Sequence, residues 1–310
     1  MVVAPGCLHA DRRDKDTNLR AKTCYRTYRK RGWCVLEIFS SFLSREKTHP
    51  ILLITSSEGT PEWLSTIEVQ KLAVGTCDFT CCQRNHKFGD KIVPCDRGIT
   101  RDILDKLILT KIKYLVEGNR FSEARFVMCF THWWLRDSSS VSQHTEEKES
   151  LTTFKDKMYW ESKTSWFDDK GVSLLFYAVI ANAGSAIEEL LKEIQSLNDD
   201  LTRKSRLSSR VPRQGIVKFG IPGEMTALMM AMCTSSPDVV SQMLKAGADP
   251  FETDKGGYDA LMAGTMYVFL SVMFDEEVSL YQTHISLSLM RVLVATRTLR
   301  KPTLHYYSRY

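Results

Sequence analysis

Cys77, Cys81, Cys82, His86 and Cys95 crowd one short window, the stretch GTCDFTCCQRNH (75–86) and the segment after it. Thiolates and an imidazole are the soft donors that structural zinc takes in fours. The expected set is Cys77, one of Cys81 and Cys82, His86 and Cys95. The paired C-x2-C knuckle of most zinc motifs is missing, so packed, reduced thiols are the competing reading. Vicinal Cys81 and Cys82 also offer redox chemistry, which needs a low thiol pKa that spacing does not set. A second chemical candidate is Glu37 in RGWCVLEIF (31–39). A carboxylate beside a ribose can stabilise the positive charge that develops as a leaving group departs. On a helical wheel Glu37 lies opposite Val35, Ile38, Phe39 and Phe42, which a solvated surface glutamate explains equally well. No glycine-rich phosphate loop precedes a helix, and neither G-x-S-x-G nor H-E-x-x-H occurs. His132, beside Trp133 and Trp134, reads as core or interface. No cofactor is expected.

Charge is a weaker guide. The 310-residue chain carries a formal net charge of +5, with 43% hydrophobic and 25% charged residues. That is a globular composition for one large domain or two smaller ones, and nucleic acid is not its expected partner. The basic residues are nevertheless uneven: Arg20, Lys22, Arg26, Arg29, Lys30 and Arg31 form one acid-free stretch, and Arg203, Lys204, Arg206, Arg210, Arg213 and Lys218 another. Such clusters attract phosphates, acidic proteins or import receptors, or else form solvated surface. The first residues lack the apolar run of about 7–15 residues of a signal peptide. No run approaches the roughly 18–20 residues of a membrane span. The longest, YVFLSVMF at 267–274, is cut off by Asp275, Glu276 and Glu277. Nine cysteines, an odd number at irregular spacings, fit reduced thiols inside the cell. The expected location is cytoplasmic, and nothing in the sequence bars the nucleus.

The elements that must position these residues come from periodicity. Residues 1–31 are polar and basic and are expected to form a flexible arm. In 32–135, Val35, Ile38, Phe39, Phe42 and Leu43 recur at helical spacing, and Pro50 closes that helix. ILLIT (51–55) reads as a strand buried on both faces. A helix is expected over 101–116, capped by Thr100 and ended by Gly118, and another over 121–135. Helix followed by buried strand makes 32–135 a small α/β region. Residues 136–170 read as a polar linker that becomes aromatic through Tyr159, Trp160 and Trp166.

Within that region, Trp-Cys-x-x-Glu opening a helix before a buried strand resembles part of a Toll/interleukin-1 receptor-like (TIR) domain. The resemblance covers about 25 residues. It implies a five-stranded parallel sheet with a cleft at Glu37 and, in the members that hydrolyse NAD, a catalytic role for that glutamate.

The C-terminal half has a longer pattern. TALM (226–229) falls on DALM (259–262) at a period of 33 residues, and the same frame places Leu175 in GVSLLFYAV. Ala178, Ala231 and Ala263 follow these leucines closely, then Ile187, Val240 and Met273, with Leu190–Leu191 and Met243–Leu244 further on. The pattern resembles the ankyrin repeat. Thr226 and Asp259 can cap first helices, Gly247 can end a second helix in the left-handed conformation, and Asp254 and Gly256 mark the tip of the projecting turn. Met229 and Met262 stand where that family prefers histidine, and Ala227 and Ala260 replace its proline. About 20 extra residues, a basic insertion at 201–220, separate the first two copies. The third copy loses the pattern at FDEEVSLYQTH, with ISLSLMRVLVA as its displaced second helix. Met225, Met229, Met230, Met232 and Met243 read as core filling. The overall fold class is therefore α+β: a small α/β region, then an all-α solenoid of about three repeats over 171–310, capped by the helices of 101–135 or by the aromatic linker.

The expected function is that of a scaffold or interaction module holding a protein partner through its turns and inner helices. Asp249, Phe251, Glu252, Asp254, Lys255 and Tyr258 are the expected contact residues, with Arg206, Arg210 and Arg213 selecting an acidic partner. The alternative is an NAD hydrolase using Glu37.

Overall fold

A computed structural model describes residues 2–3, 7–13, 20–23, 25–44, 51–55, 60–64, 66–136, 149–160, 165–234 and 237–265. The fold is α+β, predominantly helical with short strands. Strand β1 (Val2–Val3) pairs in parallel with β4 (Leu52–Ile54), and β4 pairs antiparallel with β5 (Glu62–Trp63). β2 (Cys7–Arg13) and β3 (Arg20–Thr23) form a hairpin. The described part of the expected flexible arm thus holds strands and the helical turn α1 (Tyr25–Tyr28). Strand pairing rests on backbone hydrogen bonds, which polar composition does not report. Among the described residues the sheet at ILLIT has three strands with one parallel pair, where the TIR-like motif implied five parallel strands.

Helix α2 (Gly32–Phe42) buries Val35, Ile38 and Phe39, as its spacing required. In β4 only Leu53 is buried; Leu52 and Ile54 are half-exposed, so the strand is covered on one face rather than both. Short helices α3 (Thr66–Lys71) and α4 (Thr80–Gln83) lead to the hairpin β6 (Lys87–Phe88) and β7 (Lys91–Ile92). Helix α5 (Asp96–Glu117) begins earlier than expected. Thr100 does not cap it, but donates its hydroxyl to the Asp96 carbonyl at 2.9 Å from inside the helix. Gly118 ends it, as read from the sequence. Helix α6 (Phe121–Trp134) follows after a tight turn.

Part of the expected linker, residues 151–160, packs into the core. Helix α7 (Leu151–Lys157) buries Leu151 and Phe154, and Met158 and Trp160 are buried after it. Those apolar residues fall at helical spacing among polar neighbours, so average polarity hid them. Then come α8 (Leu174–Ile180), α9 (Gly184–Gln195), α10 (Asp200–Leu207), α11 (Ala227–Thr234), α12 (Pro237–Lys245) and a helical turn at 260–265. Residues 266–310, with FDEEVSLYQTH and ISLSLMRVLVA, lie outside the described residues.

Helix α2 packs on α5, α5 on α6, α6 on α8, and α8 on α11, while α7 and α12 both lie against α9. One hydrophobic cluster therefore runs from Val35 to Ala260, so the two halves share a core across the expected domain boundary. Met229 and Met243 sit fully inside it, with Met225 and Met230 nearly so.

Lys111 of α5 is buried, and its ammonium donates to the Ser44 carbonyl. Burial, with Lys218 and Arg120 nearby, lowers its pKa from the ordinary 10.5 to about 8. Below about pH 8 both folded and unfolded chains hold the proton, and the penalty of burying the charge is present in full. Between pH 8 and 10.5 the unfolded chain binds more protons than the folded one, so this group makes stability rise with pH. Urea unfolding should show the native protein gaining on Lys111→Met across that window and holding a constant difference below it; a constant difference throughout would contradict the assignment.

Candidate functional site

Helices α8, α11 and 260–265 open with the same device. The side chains of Ser173, Thr226 and Asp259 accept from the backbone N–H groups of Phe176 (3.1 Å), Met229 (3.2 Å) and Met262 (2.8 Å). Five residues before Ser173 and Asp259 stand Asp168 and Asp254, which close matching turns. Asp168 Oδ1 accepts from the N–H of Lys170 and Val172, both at 2.9 Å. Asp254 Oδ1 accepts from Gly256 at 2.8 Å and Tyr258 at 2.9 Å. In each turn the aspartate N–H also reaches the carbonyl four residues on, at 3.0 Å. Gly171 and Gly257 take φ of +78° and +80°, a region open to glycine. The signal was legible as Asp-x-x-Gly-x-(Ser/Asp), and sequence reading missed its first copy. Gly247, at φ +99°, ends α12 in the left-handed conformation as expected.

Asp168 has a second task. Its Oδ2 accepts from the hydroxyls of Ser122 and Tyr177, both at 2.7 Å, and stands 3.5 Å from the Arg125 guanidinium. Arg125 also donates to the carbonyls of Met158 (2.9 Å) and Tyr159 (2.8 Å) and lies 4.8 Å from the centre of the Trp160 ring. Burial, reinforced by the Asp168 charge, holds the Tyr177 phenol protonated far above its ordinary range. This node ties α6, the segment after α7, the first turn and α8 together. Nothing about the separated positions 122, 125, 168 and 177 announced it in the sequence.

The expected contact residues divide into two groups. Asp254 is buried and turned inward to hold its turn, rather than projecting from the tip. Asp249 is half-buried and caps the N–H of Phe251 at 3.0 Å. Phe251 and Glu252 are half-buried, and Glu252 pairs with Arg210 at 3.6 Å. Arg210 also donates to the Thr253 carbonyl at 2.7 Å, and Arg206 lies 4.4 Å from the centre of the Trp166 ring. Lys255, Tyr258 and Arg213 remain exposed, Arg213 with Glu224 at 3.9 Å. The insertion is thus bound to the body instead of standing free. It buries Leu207, Val211 and Phe219, the last stacked on Phe126 and Phe130.

Between α6, α8, α11 and the second turn lies an apolar groove of about 260 Å³, lined among others by Phe130, Trp133, Ile180, Met225, Met230 and Tyr258. No local pattern announced it, because its wall joins α6 to helices far along the chain. His132 also lines it and keeps Nδ1 2.8 Å from the Cys129 carbonyl.

The cysteine window closes on itself. Cys81, Cys82, His86 and Cys95 bring their donor atoms within 4.8 Å of one another. Cys77 lies outside this group and points its thiol to the Ala73 carbonyl at 3.2 Å, so both vicinal cysteines take part in place of one of them plus Cys77. Helix α4 carries the vicinal pair; Asn85 and His86, at φ +49° and +57°, turn the chain back; the β6–β7 hairpin then delivers Cys95 to the start of α5. Cys82 Sγ stands 3.6 Å from Cys95 Sγ and 4.0 Å from Cys81 Sγ. The Asp96 N–H donates to Cys81 Sγ at 3.3 Å. Burial opposes ionisation of Cys95, but hydrogen bonds from the Arg97 N–H and Cys82, with the His86 ring, bring its pKa down to about 7. Burial and the two neighbouring thiols push Cys82 up to about 11. His86 Nε2 is shielded from solvent without a hydrogen-bond partner.

Glu37 is exposed on α2, opposite Val35, Ile38 and Phe39, and accepts the Tyr28 hydroxyl at 2.6 Å. Burial and that bond raise the Tyr28 pKa well above its ordinary value. Glu37 does not line the groove.

Among the described residues, no helix is long and apolar enough to cross a membrane. Comparison with protein-family models, curated proteins and solved structures returns no match.

Proposed function

We propose that this chain is a protein–protein interaction module built on ankyrin-like repeats, seating an apolar segment of a partner protein in the groove beside Tyr258. The observation that carries the reading is what walls the groove: Met230 of α11 and Tyr258 of the second turn face Phe130 and Trp133 of α6, with Ile180 at the end of α8. The N-cap that opens α8, α11 and the turn at 260–265, with the aspartate turn shared by the first and last of them, supports a repeat. Pairing of α6 with α8 and of α7 with α9 supplies the cap that a short solenoid needs on its first face. An aromatic residue beside exposed cations is the composition of an interface anchor, and Lys255 and Arg213 favour acidic residues flanking the bound segment. Arg206 and Arg210 serve the fold on this reading, because their charges are already engaged.

A photoreactive amino acid at position 258, compared with the same group at exposed position 113 on α5, tests this in cells that make the protein. The expected result is a discrete covalent adduct at 258 that is absent at 113 and disappears with Met230→Glu. Identical adduct patterns at both positions would sink the proposal.

A further inference from the structure

We infer that Cys81, Cys82, His86 and Cys95 form a structural zinc site that clamps α4 and the β6–β7 hairpin onto the start of α5. Donors at the corners of a tetrahedron, with metal–sulfur bonds of about 2.3 Å, stand about 3.8 Å apart. The sulfur separations of 3.6 Å and 4.0 Å bracket that edge, and all four donors lie within 4.8 Å of one another. Three thiolates and one imidazole make the closed Cys3His set of structural zinc, with no corner left for water or substrate. The ions that bind oxygen-rich sites find no carboxylate in this set.

Two features separate zinc from the obvious alternative, a Cys82–Cys95 disulfide. A disulfide would use two of the donors and leave His86 Nε2 shielded and without a partner. It would also leave Cys81 as a thiol, although the Asp96 N–H already points at its sulfur at 3.3 Å. Backbone N–H groups aimed at sulfur are the outer support that a bound thiolate requires. Three thiolates and a dication give the centre a single net negative charge. On binding, the three thiols release their protons to solvent, and the neutral imidazole gives a nitrogen lone pair.

The short elements explain what the metal does. Two-residue strands and a four-residue helix bury little, and Phe88 and Ile92 of the hairpin are exposed. A tetrahedral ion supplies the cross-link that apolar burial there does not.

The test uses the full chain purified under reducing conditions without chelator. The expected result is one bound zinc ion per chain, and cobalt(II) substitution should give the visible bands and thiolate charge-transfer absorption of a tetrahedral site. Cys81→Ser, Cys95→Ser and His86→Ala should each weaken zinc binding by at least about tenfold, whereas Cys77→Ser should retain the ion. Should a ligand variant fail to fold, the native chain answers alone: chelator should lower its melting temperature and expose the hairpin to protease, and added zinc should reverse both. Metal-free protein in which Cys81, Cys82 and Cys95 are all reduced and that ignores added zinc and cobalt would overturn the site, as would a mapped Cys82–Cys95 disulfide.

Discussion

Asp168→Ala should lose about 3–5 kcal/mol of stability, the penalty for leaving a buried charge without its partner. The Arg125 and Asp168 side chains are only 7% and 1% exposed, so solvent cannot replace what either provides. Removing the carboxylate takes the counter-charge from the Arg125 guanidinium, unpairs the Tyr177 hydroxyl, leaves the Ser122 hydroxyl only its bond to Asp169, and frees the two N–H groups of the turn at Lys170 and Val172. Arg125→Leu should be comparably harmful, because the Met158 and Tyr159 carbonyls then lose their donor. The double substitution should be far less than additive, since either single change already breaks the network. Asp254→Ala provides the contrast: that aspartate closes the same kind of turn without the arginine, so its loss should be smaller. Urea unfolding of the four variants measures all of this. Equal, additive losses would mean that Asp168 acts only as a turn residue.

Phe219→Ala should cost about 3–5 kcal/mol, as for other fully buried aromatics. Its ring is stacked with Phe126 at 5.0 Å and Phe130 at 6.1 Å, and Lys218 beside it pairs with Glu123 at 2.7 Å. With the ring gone, the insertion loses its main attachment to α6, and tryptic cleavage after Arg206, Arg210 and Arg213 should rise sharply. The apolar groove is lined partly by Phe219 and its neighbours, so its shape should also change. A variant as stable and as protease-resistant as the native chain would mean that the basic stretch is a free loop after all.

The two positions illustrate how far sequence reading reached. The 201–220 stretch is rich in arginine and lysine, and composition alone suggests a solvated loop. Phe219 and Val211 are isolated apolar residues without periodicity, so no local pattern marks them as anchors. Asp168, by contrast, sits in a local pattern that recurs at Asp254, and its turn was readable even though its arginine was not. The cysteine window lies between these cases. Its members were evident from type and closeness, but the ligand set depended on where the left-handed pair at Asn85 and His86 sends the chain.

The amino-acid sequence by itself determined the elements whose information is local. The α2 stripe, the α5 end at Gly118, the caps at Thr226 and Asp259 and the left-handed Gly247 all depend on residues within a turn or two of each other. So does the 33-residue offset from TALM (226–229) to DALM (259–262), which falls on the openings of α11 and of the helical turn at 260–265. Tertiary structure decided the rest: that one core crosses the expected domain boundary, that α6 completes the groove, that Arg125 meets Asp168, and that Cys81 rather than Cys77 faces Cys95. Each of these joins groups that only packing brings together. A hydrogen bond, ion pair or ligand set forms where side chains converge in space, and that convergence has no period along the chain.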